Sequence, residues 1–293
     1  MANASMYDAA TAMAEAALML VEVTGRRRVL VSRAVHPHYR QVLRTYLTAA
    51  EVDCVEVMSQ NGVTDRSHLV ACTGGQPACV ILQTPTFLGC VEDIAAVQAS
   101  SAEAGMHTIV CADPICLALL KPPGEYGVDV VVGEGQPLGI PMAFGGPLLG
   151  FFAFRAEYQR KFPGRIVGKT HDVDGRRAFT MTLRTREQDI RREKATSNIC
   201  TNEALLALMA SVYLAALGPS GLRQVAELCV QKAHYAAEVL SSVPGIALAF
   251  PQPFVREFTL VFDTRRSVRD LCRRLYENGI LAGYPLDTDY PEL

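Results

Sequence analysis

The chain has 293 residues, 49% of them hydrophobic and 20% charged, with a formal net charge of −2. This is the make-up of a globular protein with one large domain, or a large and a small one. It excludes disorder, a collagen-like repeat and a disulfide-stapled miniature. A near-neutral balance gives no global attraction to nucleic acid or an anionic membrane, and no uninterrupted apolar run of about 18 residues predicts a membrane-spanning helix.

Elements follow in chain order. Residues 9–22, rich in Ala, Met and Leu, predict a buried helix that Asp8 or Thr11 would cap. Residues 29–31 predict a strand. Residues 36–50 predict a helix, with Tyr39, Val42, Leu43 and Leu47 at three/four spacing, and 53–58 a second strand. Apolar strands are expected at 78–82, 108–112, 128–132 and 148–154, with a helix at 91–104 between the first two. Continuous apolar strands alternating with helices indicate a doubly wound α/β layer, mostly parallel and covered on both faces. Ligands in such sheets bind at the carboxyl ends of strands, here near Ser32, Thr84, Asp113 and 133–136.

Between residues 163 and 202 the composition turns polar, with seven arginines and two lysines, and no element is predicted. Residues 203–217, apolar nearly all round, predict a buried helix. Gly218-Pro219 should separate it from an amphipathic helix at 220–242. Strands at 246–250 and 258–262 and a helix at 267–278 complete a small α+β appendage.

Most short motifs reduce to ordinary structure. Gly164 to Thr170 is one residue short of a phosphate loop, and no strand leads into it. Gly133-Glu-Gly135 to Gly139 follows a strand, but its third glycine is displaced and Pro137 and Pro141 oppose a helix there, which argues against a dinucleotide site. His36 and His38 lack a third metal ligand. The pair His171-Asp172 is weak evidence for a triad, and Ser5 is not in a nucleophile elbow. The nine cysteines form no C-x-x-C pair and read as reduced, buried, small hydrophobes of a cytosolic protein. The first residues lack the basic-then-apolar pattern of a secretory signal.

Three features stay open between structure and ligand. Asp113 stands at a strand end, where it could pair with a cationic ring nitrogen or cap the helix that follows. Gly145-Gly146-Pro147 marks a tight turn or a close backbone approach. The charged run 185–202 is a solvated face or an arginine clamp for phosphate or carboxylate, and Thr201 or Asn202 would cap the next helix.

Within that run, Arg186-Glu-Gln-Asp-Ile-Arg-Arg-Glu-Lys194-Ala-Thr-Ser197-Asn198-Ile-Cys-Thr-Asn202 resembles the signature of the glycine cleavage system P-protein family, in particular the α subunits (subunit 1) of its two-subunit form. Asn3-Ala-Ser5-Met-Tyr7-Asp8, Ala112-Asp113-Pro-Ile, Leu120 to Gly127, Gly133 to Gly139 and Phe144 to Ala153 match the same family in the same order.

The resemblance implies a fold type I pyridoxal-phosphate (PLP) transferase-like architecture. Residues 1–217 would form the large α/β domain, and 218–293 a connecting helix with a truncated small α+β domain. It implies decarboxylation of glycine on PLP and transfer of the aminomethyl group to the lipoyl arm of the H-protein. The Schiff-base lysine of the family's catalytic half corresponds to Gln136 here, and glutamine forms no imine. Asp113, the partner of the ring nitrogen, is retained. The chain is therefore expected to carry no catalytic residue of its own and to keep Asp113 and Gln136 as a remnant site. The β partner should hold PLP, in a heterotetramer. Asn3, Ser5, Tyr7, Asp8, Arg186, Lys194, Ser197 and Asn198 are expected to line the shared site or interface. The family pattern continues beyond both ends of this sequence, so a fragment is expected, and a cytoplasmic location.

Overall fold

The computed structural model describes residues 1–195, 197–263 and 267–293, and of Arg186 the backbone alone. In chain order it builds β1 (Ala2–Met6), α1 (Ala9–Thr24), β2 (Arg28–Ser32), α2 (Pro37–Ala49) and β3 (Asp53–Val57). A tight pair, β4 (Ser59–Gln60) and β5 (Val63–Thr64), precedes α3 (Arg66–Cys72), β6 (Cys79–Thr84), α4 (Ile94–Glu103) and β7 (His107–Ala112). Then come β8 (Val130–Glu134), β9 (Gly150–Phe154) and a hairpin of β10 (Ile166–His171) and β11 (Arg177–Thr182). The rest is α5 (Gln188–Arg191), α6 (Ala204–Ser241), β12 (Ile246–Leu248), β13 (Leu260–Phe262) and α7 (Val268–Glu277).

The central sheet has seven strands in the order β1-β9-β8-β7-β6-β2-β3. Only β9 runs against the others. Period-two alternation divides the core between the two faces. Val29, Val31, Cys79, Ile81, Ile109 and Cys111 pack with α1 and α2. Leu30, Val80, Leu82, Val110 and Ala112 pack with Leu69 of α3 and Ile94 and Val97 of α4. This is the doubly wound layer that the sequence predicts.

Three expectations need correction, and one edge strand adds to the predicted elements. Residues 2–6 form an edge strand, β1, paired with β9. The polar stretch after residue 163 contains the β10–β11 hairpin, whose turn Asp172 holds by accepting from the amides of Asp174 and Arg176, both at 2.9 Å. Lys169 and His171 therefore lie in a strand. The hairpin escaped detection because Val167, Phe179 and Met181 face solvent, so no buried stripe marks it.

Gly218 does separate two helices, as expected: within the span α6 it adopts φ 63° and ψ 179°, outside the helical region. The first of the two, however, is not buried. Leu206 and Ala210 face the protein, whereas Leu205, Leu208 and Val212 are 70%, 59% and 61% exposed. Finally, neither Thr201 nor Asn202 caps α6 through its side chain. Glu203 stands at the cap position without a side-chain bond, and Asn202 instead accepts from the Cys200 amide.

Candidate functional site at the carboxyl edge of the sheet

Six strand ends and the loops after them converge on one edge. Asp8, after β1, caps α1 in a reciprocal box with Thr11, accepting from its amide at 2.7 Å. His36, after β2, stacks on Tyr39 at 4.7 Å and lies 4.4 Å from the ring of Phe87. Burial, then the neighbouring His38, lowers the His36 pKa to about 4. The neutral ring that results fits the geometry, because its Nδ1 accepts from the His38 amide. Burial, followed by the charges of Glu134, Asp8 and Glu257 among others, pushes the Tyr39 hydroxyl far up, so it stays protonated.

Asp113, after β7, performs two tasks at once. Its Oδ1 accepts from the amides of Ile115, at 2.8 Å, and Cys116, at 3.2 Å, capping the short helical turn at Cys116–Ala118. Its Oδ2 forms an ion pair with Arg256. Capping and cation pairing, alternatives in the sequence, are both realised, and the cation is a side chain of this protein.

Gln136 lies two residues past β8, half-buried. The organising group there is Glu134, which sequence reasoning passed over inside a rejected glycine motif. Its carboxylate accepts from three backbone amides: Ala9 at the start of α1 (3.2 Å), Gln136 (2.9 Å) and Leu149 before β9 (3.0 Å). Burial raises its pKa and the three amides oppose the rise. The available signal was an acid at a strand's carboxyl end, followed by glycine. A Cβ at Gly133 would lie 2.2 Å from the Ala112 carbonyl, and one at Gly135 3.0 Å from the Leu149 carbonyl. Both glycines therefore serve close packing.

The other expected lining residues gather where β1 and α1 meet segment 197–202. Asn3 donates to the Pro163 carbonyl at 2.8 Å. Tyr7 accepts from Asn202 at 2.7 Å. Ser5 is half-buried in β1. The Ser197 hydroxyl accepts from the Ile199 amide at 3.1 Å and also meets Glu15 of α1. Lys194 and Asn198 are exposed, and the Arg186 side chain lies outside the described residues, as does Thr196. Among the described residues, none of these hydrogen bonds reaches Asp113. Gly145 and Gly146 adopt φ of 101° and 143°. Nothing stands within 4 Å of a Cβ built at Gly145, so its glycine serves a turn rather than a close approach. The loop leaves Met142 and Phe144 fully exposed.

Glu15 is buried, and burial raises its pKa to about 7 against the opposing bond to Ser197. The folded state thus favours the neutral acid. Its stabilising contribution is complete below about pH 4.5 and is lost as pH rises through about 7. Glu15→Gln is expected to raise stability at pH 8 by about 2 kcal/mol and to change little at pH 4.5. Urea melts at the two pH values check this, and equal effects at both would refute it.

Nine cysteines are free thiols. Cys79, Cys90, Cys111 and Cys116 are buried and the other five half-buried. Among the described residues no group of three His, Cys, Asp or Glu side chains is placed to hold a metal.

A seven-stranded sheet with one reversed strand, covered by helices on both faces and carrying its polar groups on the carboxyl edge, defines a PLP-transferase-like α/β protein. A glutamate decarboxylase from Lactobacillus brevis shares that fold, at a TM-score of 0.70 and 13% identity over 95% of this chain and 65% of that one. The match narrows sharply with the glycine cleavage system P-protein profile, which covers residues 1–286, and the chain belongs to that family.

Among curated relatives, the probable glycine dehydrogenase (decarboxylating) subunit 1 of Moorella thermoacetica is 52% identical over 292 residues, all of this chain and 65% of that protein. The protein of the same name from Desulforamulus reducens is 49% identical with the same coverage. The crystal structure of an inhibitor-bound glycine decarboxylase (P-protein) aligns at a TM-score of 0.92 and 46% identity, over 97% of this chain and 64% of that one. The chain thus spans about 65% of the length of the curated relatives it matches.

PLP requires an amine for its aldehyde and an acid for its ring nitrogen. The residues present do not fit it. Gln136 offers no imine. Lys121 rests over the Tyr126 ring at 4.3 Å, Lys161 pairs with Glu22, and Lys169, Lys194 and Lys232 are exposed. Asp113, the acid expected to meet the ring nitrogen, already pairs with Arg256.

Proposed function

We propose that this chain is part of the α subunit of a two-subunit glycine decarboxylase, which decarboxylates glycine and passes the aminomethyl group to the lipoyl arm of the H-protein only together with its β partner. Whole-chain identity of 52% to a subunit 1 protein carries this reading. PLP would be held by β, where it would act as the electron sink. This chain's part is to shape the shared site and the partner interface, in a heterotetramer. Asn3, Ser5, Tyr7, Asp8, Arg186, Lys194, Ser197 and Asn198 are the residues assigned to that role. The free thiols accord with a reducing, cytoplasmic setting.

The exposed apolar stripe of α6 supports a docking role. By length and mean hydropathy α6 could also cross a bilayer. However, its kink at Gly218 and the charges Arg223, Glu227, Lys232 and Glu238 suit a protein partner better.

Glycine–bicarbonate carbon exchange with H-protein present tests the reading on the α subunit alone, β alone and both. Exchange is expected only in the mixture. Exchange by α alone would overturn the Gln136 argument. A mixture that forms the heteromer yet shows no exchange would overturn the assignment. An Asn198→Ala variant separates a site-lining subunit from a mere scaffold: a scaffold keeps full turnover once the heteromer forms, whereas a shared site loses it.

A further inference from the structure

We propose that Arg256 is a built-in substitute for the cofactor ring, a guanidinium that occupies the acid meant for a ring nitrogen and so closes this chain's own pocket to PLP. The inference extends the functional reading, from which it takes only the identity of the excluded ligand.

Three observations carry it. Both oxygens of Asp113 are already engaged: Oδ1 accepts from the amides of Ile115 and Cys116, and Oδ2 pairs with Arg256. The pair is shielded, with side-chain exposures of 14% for Asp113 and 32% for Arg256. A ring nitrogen approaching Oδ2 must compete with that guanidinium, and displacing it would leave a charge unpaired in a half-buried place. A protonated ring nitrogen would also face that guanidinium as a like charge, which opposes its binding.

Arg256 is also fixed in position rather than swinging free. Its segment is tied to the loop after β6 on both sides. The Val91 amide donates to the Pro253 carbonyl at 2.8 Å, Phe254 bridges to Cys90, and the Thr259 hydroxyl donates to the Leu88 carbonyl at 2.8 Å. Between these ties, Gly89 lies so close that a Cβ would sit 2.4 Å from the Glu257 carbonyl. The backbone thus delivers the guanidinium to Asp113.

The test uses the full chain without its partner and pyridoxamine 5′-phosphate as ligand. That compound has no aldehyde, so stray lysines cannot mimic binding. Calorimetric titration is run on wild type, Arg256→Met, Arg256→Gln and Arg256→Lys. Conclusions are drawn from those variants that keep the wild-type circular dichroism. Wild type and Arg256→Lys are expected to show no saturation at about 1 mM ligand, and the neutral variants to bind at least about tenfold more tightly.

Saturable micromolar binding by wild type overturns the proposal, and needs no variant to be seen. Neutral variants that fold and bind no better than wild type also overturn it. The exchange assay is independent. Its failure would remove the functional reading and leave the Arg256 result standing, whereas unchanged affinity in Arg256→Met would remove this inference alone.

Discussion

Glu134→Ala is expected to lower the unfolding free energy by about 4 kcal/mol, read as a reduced urea midpoint at unchanged slope. The size follows from how many donors lose their acceptor. One carboxylate satisfies the amides of Ala9, Gln136 and Leu149, each in a part-buried place. Leaving a buried donor unpaired costs about 1–3 kcal/mol. Those amides come from three separate stretches of chain, so no local rearrangement supplies a new acceptor to all of them. Glu134→Gln keeps one acceptor oxygen, but its NH2 group meets amide donors on the other side. A loss of about half the alanine effect is expected there. A loss below about 1 kcal/mol for alanine would mean that water serves the three amides equally well.

Gly89→Ala is expected to cost about as much, by a different route. Its φ of +93° lies in the region that favours glycine. Independently, the new methyl group would lie 2.4 Å from the Glu257 carbonyl oxygen and 2.9 Å from the Phe258 Cα. These are backbone atoms, so nothing rotates out of the way. Either the loop after β6 or the segment carrying Arg256 must move, at a cost of about 3–5 kcal/mol for strain and overpacking together. Because that segment holds Arg256 on Asp113, the variant should also gain affinity for pyridoxamine 5′-phosphate as it loses stability. A stability loss without any gain would show that the ion pair survives the shift. Stability within about 0.5 kcal/mol of wild type would contradict the close approach itself.

The layered sheet was legible because its strands carry uninterrupted apolar residues and its helices a three/four spacing, both consequences of burial on two faces. The tight N-terminal cap was legible for a local reason, the spacing of Asp8 and Thr11. What escaped was held by other means. Strand β1 is short and only partly buried, and its pairing with β9 is non-local. The β10–β11 hairpin is held by backbone bonds and a turn, with no buried face. The exposure of Leu205, Leu208 and Val212 contradicts a composition that reads as core, because composition does not say whether the covering surface is the same chain or another. Asp113 and Gln136 were singled out in the sequence, yet the Arg256 that pairs with Asp113 lies 143 positions away in an unremarkable stretch. No local pattern announces such a pair. Glu134 sat in plain view, but its three partners are main-chain amides, which leave no trace in side-chain chemistry.

The place of β1 in the sheet sets a timetable for the chain during synthesis. The Met1 amino group bonds the Phe154 carbonyl across 153 positions, and β1 pairs with nothing in the central sheet except β9. A ribosome adding about 5–20 residues per second needs roughly seven to thirty seconds to deliver β9 after β1 emerges. Throughout that interval α1, with its apolar Ala, Met and Leu side chains, has neither β8 nor β9 to cover it. On that side α1 therefore stays uncovered until β8 and β9 have been made. Chaperones that shield such segments should govern its yield more strongly than the stability of the finished fold does.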